Sequence, residues 1–347
     1  MDAPTLRFEL RLIPARNLLF LVVLFLSQAG VCLASESIPS AKQQTAICTQ
    51  RVVHHAILHD GDTRSFSVYL PNQSPSSCEP LPVIFAFHGV LMNGQTMAEM
   101  TDLHELGARC GFIVVYPDGS GHGRFRTWNA GGRSGRLERV AEDDVGFVRA
   151  MLRIVQTKYA IDPDRIHATG FSNGAMMCYR LAVEMPHVFA SIAPVAGTLA
   201  VPATPSTIIT QSPLHPRAVP SLHIHGTEDK FVPWDGPNAR TPKNLDFFSV
   251  QQTVAAWTRL HASTYNTSIL CNALPCSDRV QDGTHIDIQS YQIDSSSNPI
   301  AIELVRVHGG GHTWPGGKNR EWLVGTTSKE FSANERMWKF FQEYPKK

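Results

Sequence analysis

No block of like charge runs through this sequence. Its 31 lysines and arginines stand against 30 aspartates and glutamates, a formal net charge of +1. A chain without a basic stripe has no electrostatic footprint for nucleic acid or an anionic lipid surface. Cys-x-x-Cys is missing as well, which argues against a zinc ribbon or a thioredoxin-like site. Neither an internal repeat nor a low-complexity linker is present to signal an array or joined modules. Apolar runs are short: Leu18–Leu26 is nine residues, against the ~20 that cross a bilayer as a helix.

That run has a different meaning. Arg7, Arg11 and Arg16 precede it, and small residues follow through Ala29, Gly30 and Ala34. A basic start, a short apolar core and small residues near a cut site describe a secretory signal peptide. Residues 1–34 are therefore expected to be removed, with Cys32 and Ala34 at the −3 and −1 positions of the cut. Residues 35–50 read as a flexible leader and residues 51–347 as one catalytic domain, secreted or periplasmic and not inserted in a membrane. Residues 1–34 carry three basic and two acidic residues, so the remainder balances at 28 (31 − 3) against 28 (30 − 2). Export permits disulfides. Cys271 and Cys276 enclose a short turn-rich stretch and are expected to pair, and Cys48 and Cys78 flank the first hairpin and are also placed to pair. Cys110 and Cys178, in apolar helical surroundings, read as buried free thiols.

What is present is alternation. His55–Leu58 and Ser65–Leu70 read as strands around the turn Asp60-Gly61-Asp62. Val83–Phe87 is a continuous apolar run, as expected of a central parallel strand covered on both faces. Helical spacing over Thr96–Cys110, Asp143–Tyr159 and Ala175–Glu184 alternates with apolar strands at Phe112–Tyr116, Ile166–Thr169, Ser191–Val195, Ser221–His225 and Ile302–Val307. A terminal amphipathic helix covers Phe331–Tyr344, and the proline-rich stretch Leu199–Pro220 reads as a surface excursion. Strands alternating with helices predict an α/β fold with a doubly wound, mostly parallel sheet.

The chemistry sits in four places along this frame. Gly170-Phe171-Ser172-Asn173-Gly174 lies between a strand and a helix, where a sharp turn lifts a serine hydroxyl above the sheet. Gly-x-Ser-x-Gly alone arises by chance about once in ten chains of this length; the strand–turn–helix setting is what marks Ser172 as a nucleophile. Glu228 and Asp229 follow the strand Ser221–His225, on the rim where doubly wound sheets build their sites. Both qualify by position as the acid. His308-Gly309-Gly310-Gly311-His312 follows the last apolar strand, and its glycines allow a loop to present His312 as the base, with His308 the alternative. The order Ser, Asp, His is that of hydrolases with a strand-to-helix nucleophile. An oxyanion hole needs two backbone N–H groups; Asn173, directly after the serine, and Val90, in the loop after Phe87-His88-Gly89, are the candidates. His308 with His312, or His223 with His225, has no carboxylate or cysteine at metal-ligand spacing. No metal and no cofactor is expected.

These residues also carry a resemblance. Phe87-His88-Gly89, Tyr116-Pro117-Asp118-Gly119, Trp128-Asn129-Ala130-Gly131-Gly132, Asp143-Asp144-Val145-Gly146-Phe147, Gly170–Gly174, His225–Asp229 and Gly309–Gly317 resemble the secreted polyhydroxybutyrate depolymerase/LpqC-like esterases, relatives of feruloyl and acetylxylan esterases. The resemblance implies an α/β-hydrolase fold and an ester substrate, with Ser172, Asp229 and His312 as the triad. It favours Asp229 over Glu228 and implies that Trp128 and Trp314 contact substrate. The chain departs from the pattern at Val90, where many relatives carry cysteine, and at Arg133 and Ser134, where relatives often carry a cysteine pair. The alternatives are a prolyl-oligopeptidase-like serine peptidase, which shares the triad order, and a non-catalytic binding protein on the same fold.

Overall fold

The structure, a computed structural model, describes residues 51–71, 79–123, 125–131, 142–200, 219–241, 245–265, 269–277, 280–293 and 300–346. The signal-peptide and leader expectations, Cys48, Cys78, Arg133, Ser134 and most of the proline-rich excursion lie outside these residues, as do the side chains of Cys271 and Cys276.

The first hairpin shows how local chemistry sets register. β1 (Arg51–His59) pairs antiparallel with β2 (Asp62–Leu70), His59 opposite Asp62. The two turn residues, Asp60 and Gly61, have φ of 51° and 83°, the double positive φ of the tight turn that matches strand twist. β2 then joins β4 (Ile113–Pro117) antiparallel. Beyond it the sheet is parallel through β3 (Leu81–Phe87), β7 (Ile161–Phe171), β8 (Ser191–Val195), β9 (Ser221–Gly226) and β12 (Ile300–His308). β11 (His285–Ile293) and β10 (Ile269–Ser277) close the far edge antiparallel. The order is β1-β2-β4-β3-β7-β8-β9-β12-β11-β10, a 10-stranded sheet, with β5 (Ser120–His122) and β6 (Phe125–Thr127) forming a separate ribbon.

Helices cover both faces. Alternate residues of β3 divide between two cores: Val83, Phe85 and Phe87 on one side, Ile84 and Ala86 on the other. This is why the run is apolar throughout instead of alternating. The first face carries α3 (Asp144–Lys158), α4 (Asn173–Glu184) and α5 (Val250–Tyr265) through Met151, Met177 and Trp257. The second carries α1 (Gly94–Thr101), α2 (Leu103–Cys110) and α7 (Ala333–Glu343) through Met97, Leu106 and Phe340. α6 (Glu321–Val324) is a single turn in the loop after β12.

Several elements differ from the sequence reading. The helix expected over Thr96–Cys110 is two helices, broken at Asp102, whose φ is 47°; aspartate tolerates this left-handed conformation better than most side chains. Cys110 is exposed, whereas Cys178 is buried as expected. The stretch holding Cys271 and Cys276 is a strand with an irregularity between Leu274 and Ser277, not a loop. β11 and α5 add to the elements expected from the sequence: β11 mixes polar and apolar residues as an edge-side strand does, and α5 carries its buried residues Val250, Val254 and Trp257 at helical spacing among polar ones.

Candidate active site

The C-terminal ends of β3, β7, β9 and β12 open into four loops, and each loop carries one of the residues singled out above. That rim is where parallel sheets place their chemistry.

β7 ends at Phe171 and α4 begins at Asn173, so Ser172 alone makes the turn, with φ 56° and ψ −118°. Such a backbone is strained for serine and persists only when its surroundings hold it. Here Ser172 N–H donates to Val195 O at 2.9 Å, and Ser172 O accepts from Ala175 and Met176 N–H at 2.9 and 3.1 Å. The flanking glycines are required by contact: a Cβ on Gly170 would lie 2.3 Å from Gly174 O, and one on Gly174 would lie 2.1 Å from Phe87 O. Ser172 is half-buried, and among the described residues its hydroxyl has no hydrogen bond. Catalytic hydrogen bonds often tighten only when substrate binds.

Asp229 is buried in the turn after β9. Its Oδ1 accepts Phe231 and Val232 N–H, both at 2.8 Å, and its Oδ2 accepts from His312 Nδ1 at 2.7 Å. Burial by itself would raise the carboxyl; the facing His312, with hydrogen bonds from His225 and His312, outweighs it and holds Asp229 well below the usual carboxylate range. Glu228, the other carboxylate that qualified by position, is exposed. His312 is anchored through its N–H to Val324 O at 2.7 Å, and its ring packs between Phe171 and Phe231 at 4.7 and 5.2 Å. Since Nδ1 donates to a carboxylate, Nε2 keeps the lone pair a general base needs. The structure thus brings Asp229 and His312 into direct contact and sets His312 against the residue that precedes Ser172. His308 instead pairs with Asp287 at 2.7 Å and stacks on His285 at 4.3 Å, within the β11–β12 pair.

Val90 is exposed, and among the described residues its N–H has no partner. The loop around it is pinned by Leu91 N–H to Arg126 O at 3.0 Å and by the buried His88. His88 Nδ1 donates to Gly89 O at 2.7 Å and Nε2 accepts Gly119 N–H at 2.9 Å. Burial lowers the His88 pKa to about 4, so the ring is neutral and bridges two loops. Asn173 supplies one of the first backbone N–H groups of α4, donors that a helix cannot satisfy internally. Its side chain has a second task that the motif did not show: Oδ1 accepts Trp128 N–H at 2.7 Å, and Nδ2 donates to Trp128 O at 3.1 Å.

Trp128 and Trp314, the substrate contacts that the resemblance implies, follow β6 and β12. Both are fully buried. Trp128 Nε1 donates to His88 O at 3.0 Å and its ring meets Phe87 edge-on, which braces the Val90 loop from inside. Trp314 Nε1 donates to Asn334 Oδ1 at 2.9 Å, joining the His312 loop to α7. The aromatic that stands open beside His312 is Phe231, 46% exposed. Among the described residues, the group with metal-ligand spacing is His59, Asp60 and Asp143; it lies at the β1–β2 turn, and His59 Nε2 is taken by Asp143 O at 2.9 Å.

Comparison with known proteins gives a consistent set of relatives. A family model described as esterase PHB depolymerase matches residues 64–211. A protein named as an esterase, NocK of Nocardia uniformis subsp. tsuyamanensis, is 30% identical over 286 residues, 79% of this chain and 77% of that protein. Feruloyl esterase B of Piromyces equi is 23% identical over 68% of this chain, which spans 40% of that longer protein. Poly(3-hydroxyalkanoate) depolymerase C of Paucimonas lemoignei is 29% identical over 37% of this chain and 30% of its own. Among solved structures, an acetyl xylan esterase from Aspergillus awamori superposes with a TM-score of 0.52 at 18% identity, covering 75% of this chain and 94% of that one. At that identity the likeness speaks for the fold, the α/β-hydrolase type.

Proposed function

This chain belongs to the PHB depolymerase family of esterases, and we propose that it hydrolyses carboxylic esters through Ser172, His312 and Asp229. The observation that carries the reading is the 2.7 Å contact from His312 Nδ1 to the buried Asp229 carboxylate. It sits on the same rim as the strained turn at Ser172. In this scheme His312 Nε2 takes the Ser172 proton as Oγ attacks the ester carbonyl. Asp229 holds the imidazole in its working tautomer and stabilises the imidazolium. The oxyanion faces the N–H groups of Val90 and Asn173. His312 then returns the proton to the leaving alcohol, and water, activated by the same imidazole, hydrolyses the acyl-enzyme. No cofactor enters the scheme.

Apolar residues stand exposed beside these groups: Val90 and Leu91 on one loop and Phe231 on another. They favour an apolar acyl or alcohol group over a charged one. We assign soluble hydroxyalkanoate oligomers or the feruloyl and acetyl side-chain esters of polysaccharides as the substrate class. The pattern of residues 1–34 supports export as the setting. No helix among the described residues is long and apolar enough to cross a membrane. The experiment is a panel of short and long acyl esters, methyl ferulate, acetylated xylan, hydroxybutyrate oligomers and a peptide amide, each with a Ser172→Ala control. At least one ester should turn over, and Ser172→Ala should lower its kcat by a factor on the order of 10⁶. Cleavage of the peptide alone would overturn the ester assignment.

A further inference from the structure

β9 carries its apolar residues Leu222 and Ile224 into one core, while the opposite face of the strand presents His223 and His225. Both histidines are fully buried, as is Tyr179 on α4. Strand positions inside a core ordinarily take aliphatic side chains, because buried polar groups cost stability unless every one is satisfied. Here the polar atoms form one line. Tyr179 Oη lies 2.7 Å from His223 Nδ1, His223 Nε2 lies 3.2 Å from His225 Nδ1, and His225 Nε2 lies 2.8 Å from Val232 O. The same His225 Nε2 lies 3.4 Å from Asp229 Oδ2, the oxygen that accepts from His312.

The far end of this line fixes every proton in it. Val232 O and the Asp229 carboxylate are acceptors only, so His225 Nε2 must carry hydrogen, and in the neutral ring Nδ1 then accepts. His223 Nε2 must then donate, its Nδ1 must accept, and Tyr179 must point its O–H at that nitrogen. Burial drives His223 well below its ordinary range and Tyr179 well above, so both stay neutral. His225 also touches both ends of the turn that grips the carboxylate, since Val232 N–H is one of the two donors to Asp229 Oδ1. The histidine rings lie nearly parallel with centroids 5.3 Å apart, and every nitrogen is already engaged, which leaves no lone pair for a metal.

We propose that Tyr179, His223 and His225 form a proton-ordered line of positioning residues that holds Asp229 in the orientation His312 requires. The inference rests on Ser172, His312 and Asp229 acting as the triad. None of the three residues touches the ester and none passes on a proton. Their effect is to keep a donor on the carboxylate and to forbid the reversed tautomer, in which a His225 lone pair would face two acceptors.

The test uses the full chain and a soluble nitrophenyl ester turned over by the wild type. Tyr179→Phe removes one hydroxyl, His225→Leu removes the donor, and His225→Gln restores an N–H near the Nε2 position. The His225→Leu variant should lose about a hundredfold in kcat, with kcat/KM falling equally and KM within about twofold. Tyr179→Phe should lose about tenfold in the same pattern. His225→Gln should recover most of the loss. The downfield proton resonance of the His312–Asp229 hydrogen bond should shift or vanish in His225→Leu and return in His225→Gln. A purely structural role would lower melting temperatures but leave the kcat of folded His225→Leu and Tyr179→Phe within twofold of wild type, and that result overturns the proposal. If His225→Leu does not fold, Tyr179→Phe decides by the same criterion. Full activity in Ser172→Ala would instead remove the triad on which the inference stands.

Discussion

At Asp229, burial and charge pull in opposite directions, and the outcome is an ionised carboxylate packed against an imidazole. Asp229→Asn keeps the shape and removes the charge. The amide can present a donor to His312 and so favour the wrong tautomer, and kcat should fall by about 10⁴ with the fold retained; ester kinetics beside a thermal melt separate the two effects. Trp128 poses a different question at the same scale. Its indole N–H serves the Val90 loop and its ring is sealed from solvent. Trp128→Phe should therefore cost roughly 1 kcal/mol of stability for one lost hydrogen bond, and KM should stay within about twofold. A tenfold rise in KM on the same ester would mean that the ring does meet substrate.

At the scale of elements, the strand–Ser172–helix turn is the most constrained piece of the chain. Phe87, at the end of β3, approaches so closely that a Cβ at residue 174 would overlap its carbonyl oxygen. Gly174→Ala should lower stability by at least about 2–3 kcal/mol, read as a drop in the denaturant midpoint. Elements of this kind were legible in the sequence because their signals are local. The Asp60-Gly61 turn, the apolar run Val83–Phe87 and the glycines around Ser172 each announce their geometry. So did the pairing of Asp229 with His312, through motif order and resemblance. Less legible were β11 and α5, whose polar content hides their period. The buried line Tyr179–His223–His225 was not legible at all, because residues 44 apart in sequence meet only when α4 packs on β9. For Trp128 and Trp314 the resemblance puts a tryptophan near the site, and only packing gives the burial of each ring.

Across the whole molecule, the buried histidines should set the acid limit of stability. Burial lowers His88 to about 4 and His167 and His261 each to about 3, and it drives His223 the same way. Unfolded, each titrates near 6.5. Between that value and the folded one, the unfolded chain binds more protons, so stability falls as pH drops, by roughly 1 kcal/mol per pH unit for each such histidine. The melting temperature should decline progressively from pH 6.5 towards 4; a flat profile over that window would contradict the assignment of these rings as neutral and buried. The sites involved lie on both faces of the sheet: His167 stacks on Phe341 of α7, and His261 on α5 faces Val219 O. Loss should therefore be cooperative and accompany unfolding of the whole sheet. The central claim, that Ser172 is the residue acylated by substrate, is tested most directly by labelling with a fluorophosphonate and mapping the adduct by peptide mass spectrometry. One adduct on Ser172, forming in step with the loss of ester hydrolysis, is the expected result. Hydrolysis that survives with Ser172 unlabelled, or inactivation that tracks an adduct elsewhere, would contradict it.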